Sequence, residues 1–294
     1  MPAVLAEKMK DAIVAIIRGK GEIVNAVTET VSDTLTTALK GTGSIGNALT
    51  GAVADVASGV IEGTSQVGGD LGEAARGAVV GVLRGTKQVG AEAFDTIGST
   101  VQNLVKATVE VGGDVGSAAR QALEGAIEGA HSIGLKGVDA VAAAAAGAIQ
   151  GLGDVGKSAT TTTAGVAREL VQGAFNAGGD LGSAAKGAML GILRGTTELT
   201  GQAADTIGAT AGSLVTATAD VGGDVGRIAK AAVEGAIQGA KEIGVDAAQA
   251  ASAAAGGALR AAGDVSTTAV EQVERAATGV ISGVKVVVAT PFRG

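Results

Sequence analysis

The stretch Gly68–Val89, GGDLGEAARGAVVGVLRGTKQV, decides how this chain is read, because it comes back. Gly112–Ile133 reads GGDVGSAARQALEGAIEGAHSI, Gly178–Leu199 reads GGDLGSAAKGAMLGILRGTTEL, and Gly222–Ile243 reads GGDVGRIAKAAVEGAIQGAKEI. Cutting the chain at that period gives thirteen consecutive 22-residue units from Pro2 to Val287, without insertion or deletion. A fixed period of this size marks a repeat architecture rather than a set of ordinary domains.

With Gly68 as position 1, position 16 is a large aliphatic residue in every unit. It includes Ile17, Leu39, Ile61, Leu83, Ile127, Ile149, Leu193, Ile237, Leu259 and Ile281. Positions 4, 8, 11/12, 15 and 22 are mostly apolar as well. Spacings of three and four describe one stripe of an α-helix, not the alternation of a strand. Six turns in 22 residues is about 3.67 residues per turn, the period of a nearly straight or slightly right-handed helical repeat. One unit would be about 33 Å of helix at 1.5 Å per residue.

Position 18 lies within this stripe and admits only Gly or Ala. Its glycines are Gly19, Gly41, Gly63, Gly85, Gly129, Gly151, Gly173, Gly195, Gly239 and Gly283. Position 14 is often Gly too, which produces pairs such as Gly81/Gly85 and Gly125/Gly129, extended by Gly77 and Gly187. Small residues at this spacing let two helix backbones approach closely. A neighbouring helix requires that at a fixed depth; a fluid surface does not. The small column at position 18 and the aliphatic column at position 16 together are therefore the candidate assembly face.

A second period of 110 residues, five units, relates Gly68–Gly156 to Gly178–Ser266 and indicates an internal duplication. GGD triplets at Gly68, Gly112, Gly178 and Gly222 divide the array into blocks 2–67, 68–111, 112–177, 178–221 and 222–287. Gly-Gly bends or ends a helix, and the following Asp is a good N-cap. The pairs Gly68/Gly69, Gly112/Gly113, Gly178/Gly179 and Gly222/Gly223 are the candidate hinges, read either as hairpin corners or as bends in continuous helix. The expected fold is all-α: one gapless array over 2–287 of long Gly/Ala-packed helices or helical hairpins, followed by a tail, 288–294. Arg18/Glu22 and Arg194/Glu198 stand four apart, a spacing that supports a helix.

Composition narrows the function. The net charge is −7, and the 22 basic residues are scattered, with three phenylalanines as the only aromatics. A nucleic-acid footprint needs clustered Lys/Arg, so no nucleic-acid partner is expected. Without cysteine there is no disulfide, thiolate catalysis or Cys-based metal site, which suits a cytoplasmic protein. The N-terminal apolar run, Ala12–Ile17, is too short and wrongly flanked for a secretory signal. Uncharged stretches such as Ala140–Gly153 fall short of the roughly 20 residues a spanning helix needs.

Chemistry is scarce. His131, the single histidine, stands at a variable polar position and reads as a surface residue. Gly151–Ser158, GLGDVGKS, satisfies the phosphate-loop pattern, but no strand is expected before it. Its 110-residue partner at Ala261 lacks the lysine. No enzyme activity, cofactor or metal is expected.

The 22-residue period and strings such as Gly59–Gly69, GVIEGTSQVGG, resemble the amphipathic repeats of synucleins, perilipins, apolipoproteins and late-embryogenesis proteins. The resemblance is one of sequence style along nearly the whole chain, and it implies helices that fold on lipid or another apolar surface. Few lysines and the strict small-residue column depart from it. Two functions follow. The first is a structural protein that associates with itself through Gly/Ala helix faces into a filament, tube, shell or sheet. The alternative is an amphipathic coat on a membrane, lipid droplet or storage granule.

Overall fold

The computed structural model describes residues 2–19, 22–40, 45–90, 94–153, 159–176, 178, 180–195 and 203–288. Among these the protein is an all-α array of thirteen helices with one short hairpin. The helices fall into two compact units, Met1–Lys157 and Ser158–Gly294.

The first unit holds α1 (Pro2–Gly19), α2 (Ile23–Leu39), α3 (Ile45–Gln66), α4 (Leu71–Gln88), α5 (Phe94–Glu110), α6 (Val115–Ile133) and α7 (Gly137–Gly153). Its most extensive packing joins helices two apart in sequence: α1 with α3, α3 with α5, α5 with α7, and likewise α2 with α4 and α4 with α6. Consecutive helices touch less. The unit is thus two layers, one of odd and one of even helices, with the apolar core between and within them. Val31, Leu35, Val60, Ile61, Leu83 and Leu104 are among its fully buried side chains.

The second unit repeats the plan. It holds α8 (Ala159–Asn176), α9 (Leu181–Gly195), α10 (Ala203–Asp220), α11 (Val225–Ile243), α12 (Ala247–Val265) and α13 (Thr267–Ala277). The α8–α10–α12 series forms one layer and α9–α11–α13 the other. After α13 come β1 (Gly279–Ile281) and β2 (Val284–Val286), paired antiparallel with Ile281 opposite Val284.

Each helix from α1 to α12 takes up one repeat unit, and between α3 and α12 the described corners fall at position 1. Gly68, Gly90, Gly112, Gly134, Gly178, Gly222 and Gly244 all have positive φ. A left-handed residue just past the last turn reverses the chain, and glycine takes that conformation without a Cβ penalty. At the Gly-Gly corners the next amide then reaches back five residues. Gly69 N–H donates to Thr64 O at 3.0 Å, Gly113 to Thr108 O at 2.8 Å and Gly223 to Thr218 O at 2.8 Å. The third residue starts the following helix. Asp70, Asp114, Asp180 and Asp224 each accept from the amide three residues on, at 3.0 to 3.2 Å.

GGD is therefore a minimal corner: helix terminator, connector, N-cap. The connector glycine has a separate reason. A Cβ on Gly223 would sit 2.7 Å from Thr218 Cγ2 and 3.1 Å from Leu181 Cδ1, too close for either to remain in place. Gly179 lies outside the described residues. Corners also occur at Gly90, Gly134 and Gly244, where no GGD stands, so the blocks of two and three units are not longer helices. Asp246 caps α12 in the same way, with Gly244 and Val245 before it in place of Gly-Gly.

The C-terminal end departs from the repeat. Ile281 and Gly283, expected on a helix face, lie in β1 and in the hairpin turn. Ser282 and Gly283 both have positive φ, at 50° and 78°. A two-residue connection of that kind matches the right-handed twist of a hairpin. The β-branched residues of Val284–Val288 favour the strand that follows. Of the expected tail, residues 289–294 lie outside the described residues.

The capping role predicts that Asp224→Ala lowers the unfolding free energy by about 1 kcal/mol. Asp264→Ala, which removes an exposed acid from the last turn of α12, should leave it unchanged or slightly raised. Urea denaturation followed by circular dichroism measures both.

Candidate functional site: the glycine-packed helix faces

The glycine columns meet helix backbone. On α3, a Cβ at Gly59 would lie 2.5 Å from the Ala6 carbonyl oxygen of α1, and one at Gly63 would lie 2.8 Å from Lys10 O. On α4, Gly77 and Gly81 face Val24 O and Thr28 O of α2 at 2.6 and 2.7 Å. On α6, Gly125 faces Arg76 O of α4 at 2.6 Å, and Gly129 faces Leu83 Cδ1 at 2.5 Å. Gly151 of α7 faces Gln102 O of α5 at 2.7 Å. The second unit repeats this with Gly235 on Lys186 O at 2.6 Å and Gly239 on Leu193 Cδ1 at 2.7 Å.

Two contacts are tighter still. A Cβ on Gly147 would overlap the Gly98 carbonyl, and one on Gly257 would overlap that of Gly208, so glycine lies on glycine. Each seam joins one helix to the helix two before it in the same layer. At these seams the glycine face belongs to the later helix and the receiving face to the earlier one; between α11 and α13 the order is reversed, with Gly226 of α11 facing Gln272 O of α13 at 3.0 Å.

The position-16 side chains fill the space beside these seams. Leu39, Ile61, Leu83, Ile149, Leu193, Ile237 and Leu259 are buried, whereas Ile17 and Ile127 are only partly so. Gly85 is more loosely held than Gly81: its nearest neighbours are Leu35 Cβ and Ser32 O, both at 3.2 Å. Gly173 and Gly195 are buried within α8 and α9, Gly19 is the last residue of α1, and Gly41 lies outside the described residues. Polar groups add to one seam. Thr28 Oγ1 donates to Gly77 O at 3.2 Å, and Thr36 Oγ1 to Gln88 Oε1 at 3.1 Å.

Ion pairs fasten the solvent side of two of these helix pairs, α4 with α6 and α9 with α11, and also join α8 to α10. Arg76 of α4 reaches Glu128 at 2.8 Å and Glu124 at 3.5 Å on α6. Arg194 of α9 reaches Glu242 of α11 at 2.7 Å, and Arg168 of α8 reaches Asp220 of α10 at 3.5 Å. Arg227 of α11 pairs with Asp180, the α9 cap. Arg194 thus pairs 48 residues away, across the seam; Glu198, four residues on, lies outside the described residues. The signal was present in the sequence. Opposite charges recur 48 or 52 residues apart, which is two units plus one or two helical turns and the offset of stacked neighbours.

The Arg194 hydrogen bond holds the Glu242 carboxyl below its ordinary pKa, against a smaller opposing effect of burial. Asp180 is also lowered, first by the Ser183 hydroxyl, with the Ser183 amide and Arg227 adding to it. Burial moves Asp55 on α3 the other way.

A pocket of about 290 Å³ between α9 and α11 gathers Asp180, Ser183, Lys186, Arg227, Lys230 and Glu234. No three His, Asp or Glu side chains among the described residues could hold a metal ion, and His131 is exposed in the last turn of α6. A shallow groove of about 480 Å³ crosses α8, α10 and α12, lined by small residues such as Gly165, Gly208 and Gly212 with Arg168 and Arg260 at its sides. Of GLGDVGKS, Gly151 belongs to a helix seam and residues 154–158 lie outside the described residues. Among the described residues no helix is long and apolar enough to cross a membrane. Compared with known proteins, the chain matches no family model and no curated protein sequence.

Two outcomes follow from the seams. Gly125→Ala, facing backbone it cannot displace, should destabilise the fold by about 1–3 kcal/mol. Gly51→Ala, in the same kind of helix with nothing within 4 Å, should stabilise it by up to about 1 kcal/mol. Thermal melts of the two variants check the contrast.

The carboxylates give a pH dependence. A lowered folded-state pKa contributes stability above the unfolded value, about 4, that is lost as pH falls through the folded value. Glu242 and Asp180 are surface groups, so each contributes at most about 1 kcal/mol. The urea midpoint should drop below about pH 4, and Glu242→Gln should make that drop shallower. Titration of the midpoint from neutral to strongly acidic pH measures both.

Proposed function

We propose that this protein is a non-enzymatic structural protein, a close-packed helical array whose copies associate side by side into a filament, tube, shell or sheet. The observation that carries the reading is the recurrence of glycine-on-backbone seams in both units, at the same repeat positions. Such seams fix the spacing and register of each helix against its neighbour two units away in the same layer. Stiffness and repetition are what an assembled material requires of its subunit.

The seams described above are already occupied within the chain, so copies would meet through the outer faces of the layers. Those faces are rich in small and polar residues; the flat Gly/Ala groove over α8, α10 and α12 is an example. An amphipathic coat needs an apolar face free to enter lipid. Here the stripe residues Leu83, Ile61, Leu193 and Ile237 are covered by neighbouring helices. Among the described residues the exposed large apolar side chains are few, Phe175, Val265 and Val280 among them.

Circular dichroism with and without anionic vesicles, combined with sedimentation and negative-stain microscopy, tests the proposal. Full helicity in plain buffer and large regular particles are expected without lipid. Disorder in buffer that turns helical only with vesicles would overturn the structural reading. A helical protein that stays a monomer at high concentration would remove the assembly part of it.

A further inference from the structure

The helical repeat stops in mid-unit. α13 has 11 residues where the other described helices have 15 to 22, and a hairpin takes the place of its second half. That hairpin touches both layers: β1 packs on α11 and β2 on α12. Ile281 and Val286, one from each strand, are buried at 5% and 4% exposure, while Val280 and Val287 point outward at 76% and 62%.

The place β2 occupies on α12 has a defined role elsewhere. In the described seams the earlier helix receives the later one mostly on positions 5, 8, 9, 12, 13 and 16, exemplified by Ala6, Met9, Lys10 and Ile13 of α1 and by Gln102 and Val105 of α5. Ala251, Ser252, Ala255, Gly256 and Leu259 stand at corresponding places on α12. A Cβ on Gly256 would lie 4.0 Å from Val288 Cγ1, so the chain leaving β2 runs along this face.

From this we infer that the hairpin Gly279–Val286 is an end cap, which covers a helix face built to receive a glycine-bearing helix and so keeps a second copy of this chain from stacking there. The occupant excluded is a second copy because the face holds the repeat positions on which the chain's own earlier helices receive a glycine-bearing helix, seam after seam. Terminal units with a different outer surface are what keep stacked repeats from adding to one another end to end. β-structure suits the task. Two short strands cover α12 and reach α11 without presenting a new glycine-bearing helix face. The inference rests on the structural reading above and refines it, assigning side-by-side contacts to the outer layers and none to this face of α12.

The test uses the absence of cysteine. Gly256→Cys is sterically tolerated, since its Cβ would meet only Arg260 Nη1 at 3.7 Å and Val288 Cγ1 at 4.0 Å. It is placed in the full chain with the hairpin intact, and again with Ile281→Asp and Val286→Asp to unseat it. Bismaleimide cross-linking and sedimentation velocity are then run on both. The expected result is no covalent dimer through the introduced thiol with the hairpin intact. With it unseated, a thiol-linked dimer should appear and the weight-average mass should rise roughly twofold or more over the intact form. If the aspartate variant loses its helical circular dichroism, Gly283→Val decides, because it opens only the turn.

Equal cross-linking with and without the hairpin, or an unchanged mass in an unseated but helical protein, would overturn the inference. Both comparisons are between variants. They can therefore be read whether the intact protein assembles or stays a monomer, and failure of the wider structural proposal would be seen separately.

Discussion

The contact on which the structure depends is that of a glycine Cα against the carbonyl of a helix two units earlier. Glycine inside a helix loses about 1 kcal/mol relative to alanine. A chain with fifty glycines can be helical only if something recovers that loss. The seams do so by bringing backbones within the distance a Cβ would otherwise occupy, which gains dispersion along both helices and admits weak Cα–H···O contacts. Because the receiving atoms at most of these seams are backbone, the fit depends on helix placement rather than on side-chain identity. This is how non-identical units share one packing rule.

The rule explains why each compact unit is layered. If helix n receives helix n+2, consecutive helices must fall into different layers, and the connection between them must reverse the chain within a few residues. The left-handed glycine at position 1 and the Asp at position 3 supply that reversal with their own hydrogen bonds satisfied. Corner and seam thus depend on each other. Neither the cap nor the glycine face would organise the chain alone.

Much of this was legible in the sequence. The period, the helical stripe and the small-residue columns identified an all-α array of close-packed helices, and the Gly-Gly-Asp triplets marked places where chain direction changes. What could not be read was which helix meets which. A column such as Gly85 or Gly129 states that a backbone approaches, without saying whether it belongs to the next unit, the next but one or another molecule. Arg194 shows the same limit: spacing of four is the local reading, yet its partner is Glu242 through stacking. The hairpin was hidden for another reason. Ile281 and Gly283 match the helix columns, and only the β-branched residues after them, with a glycine free to take positive φ, favour a strand where α13 has stopped.

The pairing of helices two apart by glycine on glycine can be observed directly in solution. Nuclear Overhauser measurements on glycine-labelled protein would report the Hα–Hα distances between Gly98 and Gly147 and between Gly208 and Gly257. Strong cross-peaks are predicted for both pairs. A helical protein without them, with glycine contacts only between consecutive units, would contradict the packing rule.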